Sequence, residues 1–271
     1  MAVQELLTAE PPHEPVSVHG FVKGRISVIM PAYNKAEVIG KAINDVRGQF
    51  EEVSGDFEII VVDDGSTDRT RDVAKSMSNG RIRVLGYDSN QGKGSALRRG
   101  FLAATGEFTF LMDSDSEIKA RELKSYVEGL RSADIVIGSK RHSGSRVQTP
   151  ILRRFLSLGF NVLERLLTGV RATDTQAGLK ALKGEVLYLI LPLLSVKKYA
   201  FDVELLAVAS LLNCKIRELP VRIQLKATFS ARHVLRMLID LLGIAYRLRV
   251  KRWYQKNLSK MTETYKPIIP W

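Results

Sequence analysis

The sequence predicts an α/β fold in which a mostly parallel β-sheet is flanked by helices. Five apolar, largely β-branched runs of strand length occur in the first half of the chain, at residues 26–30, 57–62, 82–87, 108–112 and 135–139. Apolar residues with helical spacing lie between consecutive runs, for example across residues 35–50. Strands that alternate with helices pair in parallel through right-handed crossovers, which is the arrangement expected here.

The polar residues that can form a site follow the predicted strands. Four of the five strands end in polar or glycine-containing clusters, at residues 31–34, 63–68, 113–117 and 139–145. Ligands of open α/β sheets bind outside the carboxyl ends of the strands, where these clusters would meet. A glycine-rich turn at residues 90–95 opens the helix that follows the third strand. The site is therefore expected to be built from several loops.

Three carboxylates follow the fourth strand at alternate positions, Asp113, Asp115 and Glu117. Side chains alternate across an extended backbone, so these three would point the same way and repel one another unless a cation lay between them. An all-oxygen ligand set favours a hard divalent ion, Mg²⁺ or Mn²⁺. The alternative is a polar turn in which Asp115 or Ser116 caps the helix predicted from Ala120.

Composition limits the class of protein and its partners. The chain has 271 residues, 45% apolar and 26% charged, as expected of a globular protein with one large α/β domain and appendages. Its net charge of +12 indicates a polyanionic partner, such as nucleic acid, anionic lipid headgroups or phosphorylated substrates. The single cysteine, Cys214, favours a reducing compartment. We expect neither a signal peptide nor a membrane span, since no apolar run is long enough.

Four motifs occur in the order and spacing of a known family. They are Pro31-Ala32-Tyr33-Asn34, the run from Val61 to Asp68, Asn90 with Gly92 and Gly94, and Asp113-Ser114-Asp115. In these motifs the chain, from about residue 25 to residue 225, resembles the inverting family 2 glycosyltransferases. The resemblance implies the GT-A fold, which is a Rossmann-like sheet flanked by helices.

Two further segments, residues 174–180 and 201–206, are similar to one branch of that family. Its members, such as dolichyl-phosphate mannose synthases and dolichyl-phosphate β-glucosyltransferases, transfer a sugar from a nucleotide donor to a polyprenyl or dolichyl phosphate for protein glycosylation. In the second segment, Asp202 and Glu204 are interpreted as a brace for the acceptor loop. The alternative is an ordinary acidic helix N-terminus.

The resemblance implies a nucleotide sugar donor of the UDP-glucose or GDP-mannose type. Residues around its base and ribose would come from the first two motifs: Pro31, Ala32, Tyr33, Glu37, Asp63 and Asp64. A carboxylate can accept hydrogen bonds from the N–H groups of uracil or of guanine, so Asp64 does not decide between the two bases. The pyrophosphate of the donor needs a cation and basic groups. Asp113 is therefore assigned to donor binding as well as to the metal, and Asp115 to catalysis. Lys93 is assigned to contact with the phosphates. The alternative for Lys93 is a solvated surface cation.

The acceptor of such a reaction is a phosphate monoester, which is mostly dianionic at neutral pH and needs no general base. It needs positive charge to hold it, a role assigned to Arg141 and Arg171 as catalytic and acceptor-binding residues. Gln176 is a further acceptor contact. Asp174 is then expected to orient the arginines or the sugar, and the alternative is that it acts as a base.

The chain divides into three predicted regions. Residues 1–24 form a mobile arm, residues 25–228 the catalytic domain, and residues 229–271 a basic amphipathic region at a membrane interface. The helix at residues 151–168 and the one that starts at Ala231, which runs into Trp253 and Tyr254, are expected to lie in the plane of the membrane on its cytoplasmic face. The alternative is that both pack on the sheet or form a dimer interface.

Two other functions compete with lipid glycosylation. A nucleic-acid-binding protein would account for the net charge and for the basic residues 249–253. The carboxylates at the sheet edge would repel phosphates unless they held a metal, so no nucleic-acid partner is expected.

The second competing function is that of a family 2 glycosyltransferase with a polysaccharide or protein acceptor. Processive synthases of that kind usually carry a Gln-x-x-Arg-Trp motif, which this chain lacks.

Overall fold

The computed structural model of the chain describes residues 24–113, 120–148, 151–224 and 231–265. Its strands are β1 (Ile26–Ala32), β2 (Phe57–Asp63), β3 (Ile82–Gly86), β4 (Phe108–Met112), β5 (Ile135–Ser139), β6 (Arg146–Gln148), β7 (Leu179–Lys183), β8 (Ile216–Pro220) and β9 (Arg222–Gln224). Its α-helices are α1 (Ile39–Glu51), α2 (Thr70–Ser76), α3 (Lys93–Ala103), α4 (Ala120–Leu130), α5 (Ile151–Thr168), α6 (Gly184–Ile190), α7 (Phe201–Leu211), α8 (Ala231–Ala245) and α9 (Trp253–Tyr265). A 3₁₀ turn covers Leu191–Leu193, and a π-helical turn covers Tyr246–Val250.

Seven strands form one sheet in the order β3-β2-β1-β4-β7-β5-β8. Strands β1 to β4 pair in parallel, β8 is parallel to β5, and β7 runs antiparallel between β4 and β5. The predicted α/β fold with a mostly parallel sheet is confirmed. The five predicted strands are also confirmed, and their ends differ from the predicted ones by a residue or two.

The antiparallel strand β7 is not among the five strands predicted from the sequence. Its sequence, Leu-Lys-Ala-Leu-Lys, includes two lysines and so lacks the unbroken apolar run of a strand that is covered on both faces. It lies inside the sheet because the ammonium group of Lys180 is buried and paired with Asp202. Strands β4 and β5 consequently pair with β7 and not with each other.

Both faces of the sheet are covered, which explains the unbroken apolar runs of the sequence. In β2, Ile59 and Val61 enter one apolar cluster, whereas Ile60 and Val62 enter the other. Helices α1, α2 and α4 contribute to the first cluster. Helices α3, α6 and α7 contribute to the second, together with α8 and α9. The C-terminal helices therefore share a core with the sheet.

Helix α1 begins at Ile39, later than its predicted start at residue 35. The preceding main chain is held by side chains of the loop after β2. The amide of Lys35 donates to Thr70 Oγ1 at 2.7 Å. The amide of Ala36 donates to Asp68 Oδ2 at 3.1 Å. These bonds stabilise a turn in place of the first helical turn and join the loops after β1 and β2.

The C-terminal third differs most from its prediction. After α7, strand β8 joins the main sheet, and β9 pairs with β6 in a separate two-stranded sheet. The single helix expected over residues 231–256 is divided into α8, the π-helical turn and α9, with Arg252 at a φ of +48°. Residues 1–23 of the predicted arm lie outside the described residues. Among the helices of the described ranges, none is long and apolar enough to cross a membrane.

Helix α3 packs so closely on β1 that a methyl group at Gly100 would overlap Cγ2 of Ile29. We expect Gly100→Ala to destabilise the fold by about 1–3 kcal/mol, because overpacking outweighs the better helix propensity of alanine. Gly48→Ala in α1 is the matched control, since a Cβ there meets no atom within 4 Å. It should stabilise the fold by up to about 1 kcal/mol. Chemical denaturation compares the two variants, and effects of the same sign would contradict the packing.

Candidate active site

Loops after three parallel strands meet at the carboxyl edge of the sheet. The amide of Thr67, after β2, donates to Asn34 Oδ1, after β1, at 2.9 Å. The end of β4 is joined to the start of α3, since Asp113 Oδ1 lies 2.8 Å from Lys93 Nζ. The structure therefore assembles the predicted composite edge from separate parts of the chain.

Asp64 closes the glycine-rich turn onto the loop after β2. Its buried carboxylate accepts hydrogen bonds from the amides of Gln91 and Gly92, at 2.9 and 2.8 Å, and from Asn90 Nδ2 at 3.0 Å. Burial raises the pKa of Asp64 against the lowering effect of the two main-chain hydrogen bonds. The carboxylate thus holds the turn, and its contact with a nucleotide base stays a prediction.

The other residues predicted to surround the donor lie along the same edge. They are Pro31 and Ala32 at the end of β1 and the exposed Tyr33 and Glu37 beyond it. Asp63 is fully buried, and its Oδ2 accepts from Nε of Arg71 at 2.8 Å. That ion pair fixes the end of β2. A direct contact of these residues with a donor stays a prediction.

A network of oppositely charged side chains extends from the site into the sheet. Lys93 Nζ lies 2.8 Å from Asp113 Oδ1 and 3.5 Å from Asp202 Oδ2. The other oxygen of the second acid, Asp202 Oδ1, lies 2.8 Å from Lys180 Nζ. Lys180 is only 1% exposed and also donates to the carbonyl of Ala177. The charged network therefore continues into the interior of the fold.

The charged side chains of this network stabilise one another. Burial raises the pKa of Asp202, but the ammonium groups of Lys180 and Lys93 outweigh this effect and hold the pKa below its usual range. Burial likewise lowers the pKa of Lys93, and the carboxylates of Asp202 and Asp113 outweigh it, so the pKa lies above its ordinary value. At neutral pH the site presents a fixed ammonium group beside a partly exposed carboxylate.

Sequence reasoning named neither partner of Asp202. Lys180 ends the segment at residues 174–180 and Lys93 belongs to the glycine-rich turn, so Asp202 joins these two parts of the chain. The interpretation of Asp202 and Glu204 as a brace for the acceptor loop stays a prediction. The available signal was the pair of acids, Asp202 and Glu204, in a helix whose other residues are mostly apolar and buried. Buried acids need partners of opposite charge or hydrogen-bond donors, but a sequence pattern does not identify which residues these are.

Two of the three predicted metal ligands, Asp115 and Glu117, lie outside the described residues. The third, Asp113, follows β4 and has a partly exposed carboxylate. In the part of the chain that the structure covers, no group of three potential metal-ligating side chains occurs. Asp113 already accommodates a positive charge, the ammonium group of Lys93. The chemistry of the predicted oxygen set therefore fits a hard divalent ion.

A second polar cluster lies between the end of β5 and α5. Arg141 donates from Nη1 to Asn161 Oδ1 at 3.0 Å and from Nη2 to the carbonyl of Ser157 at 2.7 Å. Beside it, Lys140 Nζ lies 3.1 Å from Asp174 Oδ2, which also accepts from the amide of Lys140 at 2.9 Å. The structure therefore fixes Arg141 on α5 and Asp174 on Lys140.

Gln176 and Arg171 lie in different environments. Gln176 Nε2 is 3.4 Å from Oε1 of Glu164, a buried acid of α5 that also accepts from Thr175 Oγ1 at 2.7 Å. Burial raises the pKa of Glu164 against the effect of these hydrogen bonds. Arg171 is exposed, and its main-chain carbonyl accepts from Arg165 Nη2 at 3.2 Å. Helix α5 thus holds Arg141 and Gln176, and their acceptor roles stay predictions, as does that of Arg171.

The match to a known family agrees with this geometry. Residues 27–189 match the family described as glycosyl transferase family 2. The chain belongs to this family. The resemblance inferred from the four motifs is thereby confirmed, and the protein is a glycosyltransferase.

Three dolichyl-phosphate beta-glucosyltransferases are similar to most of the chain. A dolichyl-phosphate beta-glucosyltransferase from Trichomonas vaginalis is 33% identical over 261 residues, covering 89% of this chain and 77% of that protein. The dolichyl-phosphate beta-glucosyltransferase of Mus musculus is 31% identical over 257 residues, covering 87% and 79%. The Homo sapiens protein of the same name is 30% identical over 258 residues, covering 88% and 80%.

Solved structures show that the fold is GT-A. Glucosyl-3-phosphoglycerate synthase from Mycobacterium tuberculosis superposes with a TM-score of 0.63 at 21% identity, covering 83% of this chain and 80% of that one. Its complex with Mn²⁺, UDP and glucosyl-3-phosphoglycerate gives a TM-score of 0.62 at 20% identity, covering 83% and 79%. The fold class predicted for this family 2 glycosyltransferase is therefore correct.

We expect Asp202→Asn to destabilise the glycosyltransferase by about 3–5 kcal/mol at pH 7, because it leaves the buried ammonium group of Lys180 without its counter-charge. The folded-state pKa of Asp202 is depressed, so its stabilising contribution is present above the unfolded pKa and is lost as pH falls through the folded pKa. The difference from the parent should therefore shrink in acid.

Chemical denaturation at neutral and acidic pH measures this difference. Asp88→Asn is the matched control, since that carboxylate is exposed and lies 3.4 Å from Arg71 Nη1. It should change stability little at either pH. A loss in Asp202→Asn that stayed constant with pH would contradict the buried ion pair.

Proposed function

We propose that this family 2 glycosyltransferase transfers glucose from UDP-glucose to a polyprenyl or dolichyl phosphate at the cytoplasmic surface of a membrane, with inversion at the anomeric carbon. The observation that carries the proposal is the Lys93–Asp113 pair, where a basic group for a pyrophosphate adjoins an acid for a cation. The three named dolichyl-phosphate beta-glucosyltransferases support the sugar and the acceptor. The solved relative that holds UDP supports uridine over guanosine.

The proposed reaction exchanges one phosphate for another at the anomeric carbon of glucose. An oxygen of the acceptor phosphate forms a bond to C1 on the face opposite the leaving group. The bond from C1 to the β-phosphate oxygen breaks, and its electron pair leaves with UDP. No proton has to be removed, because the acceptor phosphate is mainly dianionic at neutral pH. Asp174, which is paired with Lys140, is therefore assigned to positioning and not to base catalysis.

Lys93 is the residue assigned to the donor phosphates. Asp202 and Asp113 both lie within ion-pairing distance of its ammonium group. Asp202 keeps that group in the site when Asp113 turns to another partner, so Lys93 can donate to a phosphate oxygen of UDP. Asp113, Asp115 and Glu117 would hold Mg²⁺ or Mn²⁺, and a bound cation would offset the charge that develops on the leaving UDP.

Arg141 is assigned to the acceptor phosphate. Its contacts with Asn161 and Ser157 fix the plane of the guanidinium group. A guanidinium has five N–H donors, so these two contacts leave capacity for a phosphate. A fixed plane favours a bidentate contact, which would hold the attacking oxygen in line with C1. Arg171 and Gln176 complete the proposed acceptor site.

Helix α5 buries a polar row and exposes an apolar row, while Phe160, Leu163 and Leu167 pack partly buried against the core. The buried row is Asn161, Glu164 and Thr168, and the exposed row is Leu158, Val162 and Leu166. An amphipathic helix that faces water normally buries its apolar row. The exposed row of α5 therefore indicates that something apolar covers it. Because the proposed acceptor is a lipid phosphate, we assign this role to the bilayer.

Helix α8 and the π-helical turn present a second exposed apolar row, and α8 packs beside α5. Its members recur every three or four residues: Leu235, Ile239, Leu242, Tyr246 and Val250. Exposed basic residues occur near both rows: Arg165, Arg249, Lys251 and Arg252. An anionic bilayer surface accommodates apolar rows bordered by cations, so both helices are proposed to lie in its plane. Tyr254 is fully buried, so its predicted place at the interface is wrong.

Incubation with Mn²⁺, a panel of nucleotide sugars and a short-chain polyprenyl phosphate tests the proposed reaction. We expect transfer from UDP-glucose in preference to GDP-mannose, with a β-linked product. Asp115→Ala should abolish transfer and leave the fold intact, because it removes a proposed cation ligand. Asp45→Ala, at an exposed acid of α1, is the matched control. Transfer only from GDP-mannose would contradict the donor, and undiminished transfer by Asp115→Ala would contradict the cation site.

We expect the double change Leu235→Ser and Ile239→Ser to weaken binding to anionic lipid vesicles roughly tenfold or more, since burying each apolar side chain contributes about 1.5–3 kcal/mol. Leu102→Ser is the matched control, because this leucine of α3 is exposed to a similar degree. Vesicle flotation compares the variants, and the control should bind like the parent. A folded double variant that binds as tightly as the control would show that α8 does not face the membrane.

A further inference from the structure

Glu204 in α7 is a buried acid that the proposed reaction does not use. It has no exposed surface, and its carboxylate accepts hydrogen bonds from two regions of the chain. In the segment before α7, the amides of Ser195 and Val196 donate at 2.8 and 2.7 Å, and Ser195 Oγ donates at 2.7 Å. In the C-terminal region, Tyr254 Oη donates at 2.6 Å and Arg247 Nη2 at 3.3 Å. One carboxylate therefore joins the two regions.

The segment before α7 supports the glycine-rich turn. The amide of Ser95 donates to the carbonyl of Lys197 at 3.1 Å. Cβ atoms at Gly92 and Gly94 would overlap main-chain carbonyls of the same segment. The turn therefore rests directly on main-chain atoms, with no side chain between them. Because Lys93 lies between the two glycines, its position follows the position of this segment.

The C-terminal partners of Glu204 are held by specific polar contacts. Burial, followed by the charge of Glu204, raises the pKa of Tyr254, so the hydroxyl stays protonated and donates. Arg247 Nε donates to the same hydroxyl at 3.0 Å, and its guanidinium supplies a positive charge beside the buried acid. Arg247 lies between Tyr246 and Val250 of the exposed apolar row, and Tyr254 follows that row. The region proposed to face the membrane is thus anchored on the carboxylate that holds the segment under the donor turn.

We propose that Glu204, Arg247 and Tyr254 form a strut that sets the position of the glycine-rich turn. Donor binding then requires the C-terminal region to be packed against Glu204 of α7. The strut residues are positioning residues, since they act on the donor through the segment before α7. The proposal rests on the assignment of Lys93 to the donor phosphates in the proposed function. It implies that the C-terminal helices serve the donor site as well as the membrane surface.

Tyr254→Phe keeps the buried ring and removes only the hydroxyl. With a water-soluble short-chain acceptor, we expect the donor KM to rise about tenfold, as for the loss of a hydrogen bond to a charged group, while kcat and the acceptor KM stay close to those of the parent. Tyr188→Phe is the matched control, at an exposed tyrosine of α6 that has no part in the proposed site or membrane surface. It should leave all three constants unchanged. A donor KM unaltered by Tyr254→Phe would overturn the proposal.

Hydrogen exchange tests the strut without activity. In Tyr254→Phe without nucleotide, amides of residues 92–96 and 195–197 should exchange faster, while those of β1 and β2 keep the parent rates. In the parent protein, UDP with Mn²⁺ should slow exchange at residues 253–257, because coupling between two sites is reciprocal. Changes confined to α9 in the variant, or none at residues 253–257 on UDP binding, would overturn the strut. If the parent protein bound UDP but transferred no glucose, the proposed function would be refuted and the strut would not.

Discussion

The buried acids in the first turn of α7 impose the constraint on which the site depends. Asp202 is neutralised by Lys180 from β7 and Lys93 from α3, and Glu204 by main-chain amides and the C-terminal region. A buried carboxylate that loses its partner destabilises a fold by several kcal/mol, so these elements must be in place together. This requirement explains why a lysine lies inside the sheet. It also explains why the glycine-rich turn and the C-terminal region pack around the same helix.

The inward placement of polar groups also determines what the surface presents. Helix α5 uses Ser157, Asn161 and Glu164 to hold residues of the proposed acceptor site, and Leu158, Val162 and Leu166 lie outside. A helix that turns a polar row inward leaves part of its apolar surface facing outward. The exposed rows of α5 and α8 are thus a consequence of building the site from these helices. A bilayer surface would cover the rows and at the same time deliver a lipid acceptor.

Local patterns predict those parts of the fold whose determinants are near in sequence. Strands β1 to β5 are visible as unbroken apolar runs because both faces of the sheet are covered, and α5 is visible from its spacing. Strand β7 is not, because the burial of Lys180 depends on the distant Asp202. The burial of Tyr254 likewise depends on a distant residue, because its hydroxyl donates to Glu204. In the sequence alone, this tyrosine therefore resembles an aromatic residue of a membrane interface. Motifs locate the loops of the site, whereas the partners inside it are decided by tertiary packing.

The central claim is that the charge network at the carboxyl edge of the sheet is the donor site. Calorimetric titration of UDP into the parent and into Lys93→Met, with and without Mn²⁺, tests it most directly. We predict that Mn²⁺ strengthens UDP binding to the parent and that Lys93→Met binds roughly tenfold or more weakly, because a charge-assisted hydrogen bond is lost. Lys75→Met, at an exposed lysine of α2, should bind like the parent. Equal affinity of Lys93→Met and the parent for UDP would contradict the claim and place the donor elsewhere.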